Sequence, residues 1–256
     1  SSGPGVEGFA RGERVAWCLA RGSYAEFAAV PAWRLVRVPE GVPTAVATAL
    51  MLQGMTAHYL SRSAFPLESG DSCLVHAAAG GVGQLLVQLA KARGATVIAT
   101  VGSREKAEIA AARGADHCII YSEEDFLPRV RALTGGAGVD VVYDSVGRAT
   151  IARSLRSLRR RGTCVLFGAS SGVVDCIEPL EVAEAGSVFF TRPHLADYTA
   201  DAEEIAWRAR ELFEAAASGR LVVTIDREFP LAEARRAHET LEARQSRGKL
   251  LLKVAD

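Results

Sequence analysis

Apolar residues gather in short runs at 73–77, 96–101, 117–120, 139–143, 163–167 and 187–190. Val, Ile, Leu and Phe dominate these runs with little alternation, the pattern of strands buried on both faces. Helical periodicity fills the gaps. Leu85, Leu86, Leu89 and Ala90 fall on one face after Gly83, and Ala107, Ile109, Ala110 and Ala111 follow a charged start at 104–106. Phe126, Val130 and Leu133 mark a third helix that Gly135 and Gly136 close, and Leu155 and Leu158 mark a fourth. Strands alternating with helices predict βαβ units, hence a doubly wound parallel sheet with helices on both faces.

The flanks read differently. Residues 14–19, 24–30 and 35–38 are β-type segments, and Thr44 is expected to cap a helix over 44–49. Residues 202–218 form an amphipathic helix with Ile205, Ala209, Leu212 and Phe213 on one face and Gly219 at its end. A β-like stretch at 221–225, a helix over 231–243 and a last strand at 250–254 complete the chain. The expected division is a partial β-rich lobe at 1–53, a nucleotide-binding domain at 54–193, and a return segment of the first lobe at 194–256.

Composition narrows the functional classes. The chain is 49% hydrophobic and 23% charged, the balance of a soluble globular protein. Its 30 Lys+Arg equal its 30 Asp+Glu, so neither nucleic acid nor an anionic membrane is an expected partner. No apolar run reaches the roughly 18 residues of a membrane span, and no signal peptide is expected. Cys18, Cys73, Cys118, Cys164 and Cys176 are scattered, which predicts free thiols in a reducing cytoplasm and no structural zinc.

The strongest motif runs from Cys73 through Ala77-Ala78-Ala79-Gly80-Gly81-Val82-Gly83 into a helical pattern. A strand entering a glycine-rich turn that opens a helix is the context of a dinucleotide fingerprint. Gly80 lets backbone approach a pyrophosphate, Gly83 lets the helix pack on the strand, and the first amides of the helix bind phosphate. The first glycine of G-x-G-x-x-G is replaced by Ala78. The next strand ends in Thr100-Val101-Gly102-Ser103-Arg104-Glu105-Lys106, without the acid that would hold a ribose 2′-hydroxyl. Two cations follow instead, and this favours NADP(H) over NAD(H).

With these motifs, and with VVYDSVG at 141–147, VLFGASSG at 165–172, TRP at 191–193 and GMTAHY at 54–59, the chain resembles the zinc-independent, zeta-crystallin-like quinone oxidoreductases of the medium-chain dehydrogenase/reductase superfamily. The resemblance covers residues 5–252 and implies a Rossmann-type domain inserted in a partial GroES-like catalytic lobe. It implies an NADPH-dependent, metal-free reductase acting on quinones or related enone and carbonyl acceptors, and a homodimer. By resemblance, Thr56 lies near the nicotinamide-side phosphate and Ala78, Ala79, Gly80, Gly81, Val82 and Gly83 hold the pyrophosphate. Gly102, Ser103, Lys106 and Tyr121 surround the 2′-phosphate. Ser145 and Val146 line the adenosine or ribose side, Phe167, Gly168 and Ser170 the nicotinamide ribose, and Phe190, Thr191 and Arg192 the nicotinamide amide. Arg244 reaches back to a cofactor phosphate. The family also carries a segment ahead of the stretch matching residues 5–17. Without it, the strands within 13–38 and 250–254 are expected to have open edges, with Val15, Trp17, Phe27 and Leu35 exposed and quinone turnover weak.

Other features have simpler readings. G-x-S-x-G at 168–172 matches a hydrolase nucleophile elbow, but 173–179 is a poor start for the helix an elbow needs. His238 reads as a packed helix position beside Ala234 and Leu241, His76 as structural, Asp144 as a local hydrogen-bond organiser, and 156–161 as the basic end of a solvated helix. No proton donor is assigned. An enoyl-thioester reductase and a non-catalytic NADPH-binding protein are the competing functions. The apolar strand at 187–190 falls where the sheet should end, a place for a two-fold partner.

Overall fold

The computed structural model describes residues 3–243 and 246–254. The chain divides into two compact units, one of Ser1–Met55 with Leu195–Asp256 and one of Thr56–His194. In chain order the strands are β1 (Val15–Ala16), β2 (Val36–Arg37), β3 (Ser72–Val75), β4 (Thr96–Val101), β5 (His117–Ile120), β6 (Val139–Asp144), β7 (Leu158–Leu166), β8 (Phe189–Thr191), β9 (Ile225–Pro230) and β10 (Lys249–Lys253). The α-helices are α1 (Thr44–Ala49), α2 (Met55–Tyr59), α3 (Gly81–Ala92), α4 (Arg104–Ala112), α5 (Phe126–Leu133), α6 (Ile151–Arg156), α7 (Pro179–Glu184), α8 (Ala202–Ala217) and α9 (Ala234–Glu242).

The central unit is the predicted α/β sheet. Its six strands run in the order β5-β4-β3-β6-β7-β8, every neighbouring pair parallel. Successive side chains of a strand point to opposite faces. Leu74, Ile98, Val142 and Cys164 therefore share one face, where they form a core with Phe126, Val130, Ile151 and Leu155 of α5 and α6. Their alternates Cys73, Val97, Val141 and Val165 are also buried, so both faces of the sheet are covered. Each such buried aliphatic residue contributes roughly 1.5–3 kcal/mol, which is why these strands read as unbroken apolar runs. Helix starts are built locally. Ser103 caps α4 by accepting from the Lys106 N–H at 3.3 Å, and Asp125 caps α5 by accepting from the Leu127 N–H at 3.1 Å.

One boundary in this unit departs from the sequence reading. Leu158 does not extend the fourth helix, and Arg159–Arg161 do not end one; all four open β7. Leu158 is fully buried in the α5–α6 core, and Arg159 pairs with Asp140 on β6. Pairing with β6 outweighs the local charge pattern. Strand β8 is the sheet edge, with Phe189 and Phe190 exposed.

The other unit carries less β-structure than its sequence suggests. Residues 24–30 form no strand, and 14–19 and 35–38 contract to the antiparallel pair β1–β2. Pro43, not Thr44, takes the cap position of α1, and no side chain caps it. The stretch 221–225 is strand only at Ile225; β9 runs on to Pro230 because β10 pairs with it in parallel from Lys249 to Lys253. The last strand therefore has a partner. Phe27 is exposed, whereas Val15, Trp17 and Leu35 are half-buried. Helix α8 buries Ile205, Ala209, Leu212 and Phe213 as expected. Asp201 caps it, accepting from the Glu204 N–H at 2.9 Å, and Gly219 follows it in the left-handed region. Helix α9 buries Ala237 and Thr240; His238 is exposed and meets the Tyr24 hydroxyl at 3.0 Å. Among the described residues no helix is long and apolar enough to cross a membrane.

Candidate functional site

Six parallel strands put their carboxyl ends on one edge. Strand order reverses between β3 and β6, because the chain moves outward through β4 and β5 before returning to β6. Such a reversal opens a crevice between the loops after the two inner strands.

The first lip of that crevice is the turn after β3. Ala77 adopts φ 51°, so the strained left-handed position falls on Ala77 and not on Ala78, the residue aligned with the missing first glycine. The Gly80 N–H donates to the Ala77 carbonyl at 2.9 Å, and Gly80 then serves as the extended cap of α3. The first i→i−4 bond of α3 runs from the Gln84 N–H to the Gly80 carbonyl at 2.9 Å. The amides of Gly81, Val82 and Gly83 precede it, in the geometry that suits an anion. A Cβ on Gly83 would stand 2.4 Å from the Ala77 carbonyl oxygen and 2.7 Å from the Ala78 Cα. Only glycine permits this approach. Ala78 and Ala79 are buried beneath the turn. The Ala78 N–H bonds the Thr100 carbonyl at 3.2 Å, and the Gln84 side-chain amide bonds the Ala79 carbonyl at 2.9 Å.

The loop after β4 meets the end of β5. Gly102 and Ser103 are half-buried, Lys106 stands in the first turn of α4, and the Tyr121 hydroxyl lies over Gly102. Arg104 is committed to Glu123 at 3.1 Å, and that hydrogen bond pushes the guanidinium pKa up. Arg104, one of the two cations singled out by sequence, is thus paired with a carboxylate.

The second lip is the loop after β6, and it interlocks with the loop after β7. The Ser170 N–H donates to the Ser145 carbonyl at 3.1 Å and the Ser171 N–H to the Val146 carbonyl at 2.8 Å. A Cβ on Gly168 would meet the Ser145 carbonyl oxygen at 2.5 Å. The Phe167 N–H bonds the Asp144 carbonyl at 2.8 Å. Ser145, Val146, Phe167, Gly168 and Ser170 thus form one backbone cluster. No helix follows Ser170 until Pro179, so the hydrolase elbow has no structural basis. On the next strand Thr191 pairs with Val165, Phe190 is partly exposed, and Arg192 donates to the Pro193 carbonyl at 3.1 Å. Thr56 is half-buried in α2. Arg244 lies outside the described residues.

Three residues unmarked by sequence lie beneath the lips: Thr100, Thr150 and Ser154. Asp144 is fully buried and accepts from the amides of Val146 (2.8 Å) and Gly147 (3.0 Å) and the hydroxyls of Thr150 and Ser154 (both 2.7 Å). The His76 ring, also buried, touches the Thr100 hydroxyl at 2.8 Å and the Ser154 hydroxyl at 3.0 Å. Burial pushes its pKa down, Asp144 pushes it up, and Arg153 pushes it down again; the net shift is downward, and the ring is neutral at pH 7. Burial also raises the thiols of Cys73 and Cys164, leaving them inert. Among the described residues, no group of three or more His, Cys, Asp or Glu side chains is placed to hold a metal ion.

The glycine cradles and the ordered amides of α3 fit a dinucleotide pyrophosphate. A surface cleft lined by Arg131, Leu158, Arg160, Arg161 and Glu184 lies at the opposite, amino-terminal edge of the strands, where Arg131 is spent on backbone carbonyls.

A family profile described as Zinc-binding dehydrogenase matches residues 81–202. Over 254 residues the chain is 44% identical to 2-haloacrylate reductase from Burkholderia sp, covering 98% of this chain and 76% of the relative. It is 42% identical over 253 residues to Quinone oxidoreductase 1 from Escherichia coli, covering 98% and 77%. The crystal structure of Escherichia coli quinone oxidoreductase complexed with NADPH superimposes with a TM-score of 0.96 at 41% identity, covering 98% of this chain and 78% of that one. The chain belongs to the quinone oxidoreductase family of the medium-chain dehydrogenase/reductase superfamily.

Proposed function

We propose that this protein is an NADPH-dependent reductase that delivers hydride to quinones or related electrophilic enone and carbonyl acceptors, without a metal. The observation that carries the reading is the crevice between the loops after β3 and β6, with a glycine-cradled helix start on one lip, in a chain 42–44% identical to a quinone oxidoreductase and a 2-haloacrylate reductase. In this reading the amides of Gly81, Val82 and Gly83, with Ala78, Ala79 and Gly80, hold the pyrophosphate. Gly102, Ser103, Lys106 and Tyr121 receive the 2′-phosphate. Ser145, Val146, Phe167, Gly168 and Ser170 form the ribose wall, Phe190, Thr191 and Arg192 the nicotinamide end, and Thr56 contacts phosphate. Residues 54–193 form the cofactor domain; 1–53 and 194–256 belong to the catalytic lobe.

When bound, the cofactor supplies the hydride. The protein's part is to place it and to exclude water. Buried Ala78 and Ala79 and the interlocked backbone of Ser145 and Gly168 form the floor on which it is placed. A second copy of the chain pairs through the β8 edge, and the free cysteines suit a reducing cytoplasm.

Fluorescence titration tests the cofactor half. NADPH binds at least ten-fold tighter than NADH, a difference of about 1.4 kcal/mol, and Lys106→Ala removes most of it. A panel of quinones, a haloacrylate and crotonyl-thioester tests the acceptor half. Turnover of the thioester alone assigns the protein to enoyl-thioester reduction, and binding without any turnover makes it a carrier of NADPH. Chelators leave both readouts unchanged.

A further inference from the structure

Beneath the crevice, four buried side chains from β4, the end of β3, α6 and β6 form one unbroken line: Thr100, His76, Ser154 and Asp144. The spacings are 2.8 Å from Thr100 Oγ1 to His76 Nδ1, 3.0 Å from His76 Nε2 to Ser154 Oγ, and 2.7 Å from Ser154 Oγ to Asp144 Oδ2. The direction of each bond follows from valence. Asp144, as a carboxylate, only accepts. The single hydroxyl proton of Ser154 therefore goes to Asp144, and Ser154 must accept from His76. That puts the ring proton of His76 on Nε2 and leaves Nδ1 to accept from Thr100. Every side-chain donor along the line then has an acceptor, as buried polar groups require.

The line joins both lips of the crevice. At one end the Thr100 carbonyl holds the Ala78 N–H of the glycine-rich turn. In the middle, the His76 carbonyl accepts from the Ser145 hydroxyl at 3.5 Å. At the other end the Asp144 carboxylate gathers the amides of Val146 and Gly147. The Phe126 ring packs against His76 in a T-shaped contact, with centroids 4.8 Å apart, so an apolar ring borders the imidazole.

We propose that Thr100, His76, Ser154 and Asp144 act as a single directional hydrogen-bond relay that sets the spacing of the turn after β3 and the loop after β6, making Thr100 and Ser154 cofactor-positioning residues. The proposal rests on the NADPH reading of the crevice, though its first test does not.

Nitrogen-15 NMR of the full chain reads the tautomer directly. A protonated Nε2 and an unprotonated Nδ1 at His76 are expected at neutral pH; the reverse tautomer, or a mixture of the two, overturns the relay. This holds whether or not the protein binds NADPH, so failure of the functional reading is distinguishable: it shows as absence of NADPH binding by the unmodified chain. The second test uses Ser154→Ala and the near-isosteric Thr100→Val, each checked for native circular dichroism. Each is expected to weaken NADPH binding five- to ten-fold, with kcat at saturating cofactor within two-fold of the parent. The double variant is expected to lose less than the product of the single losses, because either change alone breaks the line. Parent-like NADPH affinity in both folded variants, or losses that multiply, overturns the proposal. Should Ser154→Ala not fold, Thr100→Val and the tautomer still decide it.

Discussion

The hydroxyl of Tyr121 occupies the space that a side chain at Gly102 would fill: a Cβ on Gly102 would stand 2.6 Å from it. The end of β5 is thereby closed over the loop that follows β4. Gly102→Ala is predicted to leave stability within about 0.5 kcal/mol, since Gly102 needs no left-handed backbone and Tyr121, half exposed, can swing away. NADPH affinity is expected to fall several-fold, with NADH affinity unchanged. Paired titrations check this, and an equal loss for both cofactors contradicts it.

The contact at Gly83 is of another kind. Its neighbours at 2.4 and 2.7 Å are backbone atoms of Ala77 and Ala78, which have nowhere to go. Gly83→Ala is predicted to cost roughly 1–3 kcal/mol, the range for inserting a methyl group into a packed site, and to abolish NADPH binding. Urea unfolding with a cofactor titration measures both. A fully stable variant with parent-like affinity would show that the turn relaxes.

At the sheet edge, Phe189 is 63% and Phe190 37% exposed. An apolar edge strand is a template for pairing. Phe189→Asp is expected to raise the dimer dissociation constant at least ten-fold by sedimentation velocity. A parent chain that stays monomeric at tens of micromolar would remove the basis for this expectation.

Asp140 ties β6 to β3 and β7, accepting from the Ser72 N–H and hydroxyl at 2.8 Å and from Arg159. Burial alone would raise its pKa, but the Arg159 and Ser72 hydrogen bonds outweigh it and hold the carboxyl below its ordinary value. A depressed folded pKa gives stability that is complete above the unfolded value, near about 4, and is lost as pH falls through the folded one. Asp140→Asn is thus predicted to cost about 1–3 kcal/mol at pH 7 and progressively less below pH 4. Melting curves between pH 7 and pH 3 test the convergence of the two proteins; a constant gap refutes it.

The order of strands and helices in the central unit was legible along the chain, because strands buried on both faces must be apolar at every position. The span 96–101 matches β4 and 117–120 matches β5 to the residue. The glycine-rich turn was legible too, since the absence of a Cβ at Gly80 and Gly83 is written in the residue names themselves. The flanks were less so. Ile225–Pro230 carries Asp226, Arg227 and Glu228 and has no strand-like pattern; it becomes a strand because β10 lies beside it. Leu158 and the arginines after it looked helical until pairing with β6 claimed them. The same limit hid Thr100 and Ser154. Each is an ordinary polar residue in its own segment, and their role exists only where β4, α6 and the ends of β3 and β6 converge. Periodicity and glycine placement are local properties of the chain and determined the architecture. Strand partners, the left-handed turn at Ala77 and the buried line beneath the crevice depend on atoms far apart in sequence, and only the tertiary structure decided them.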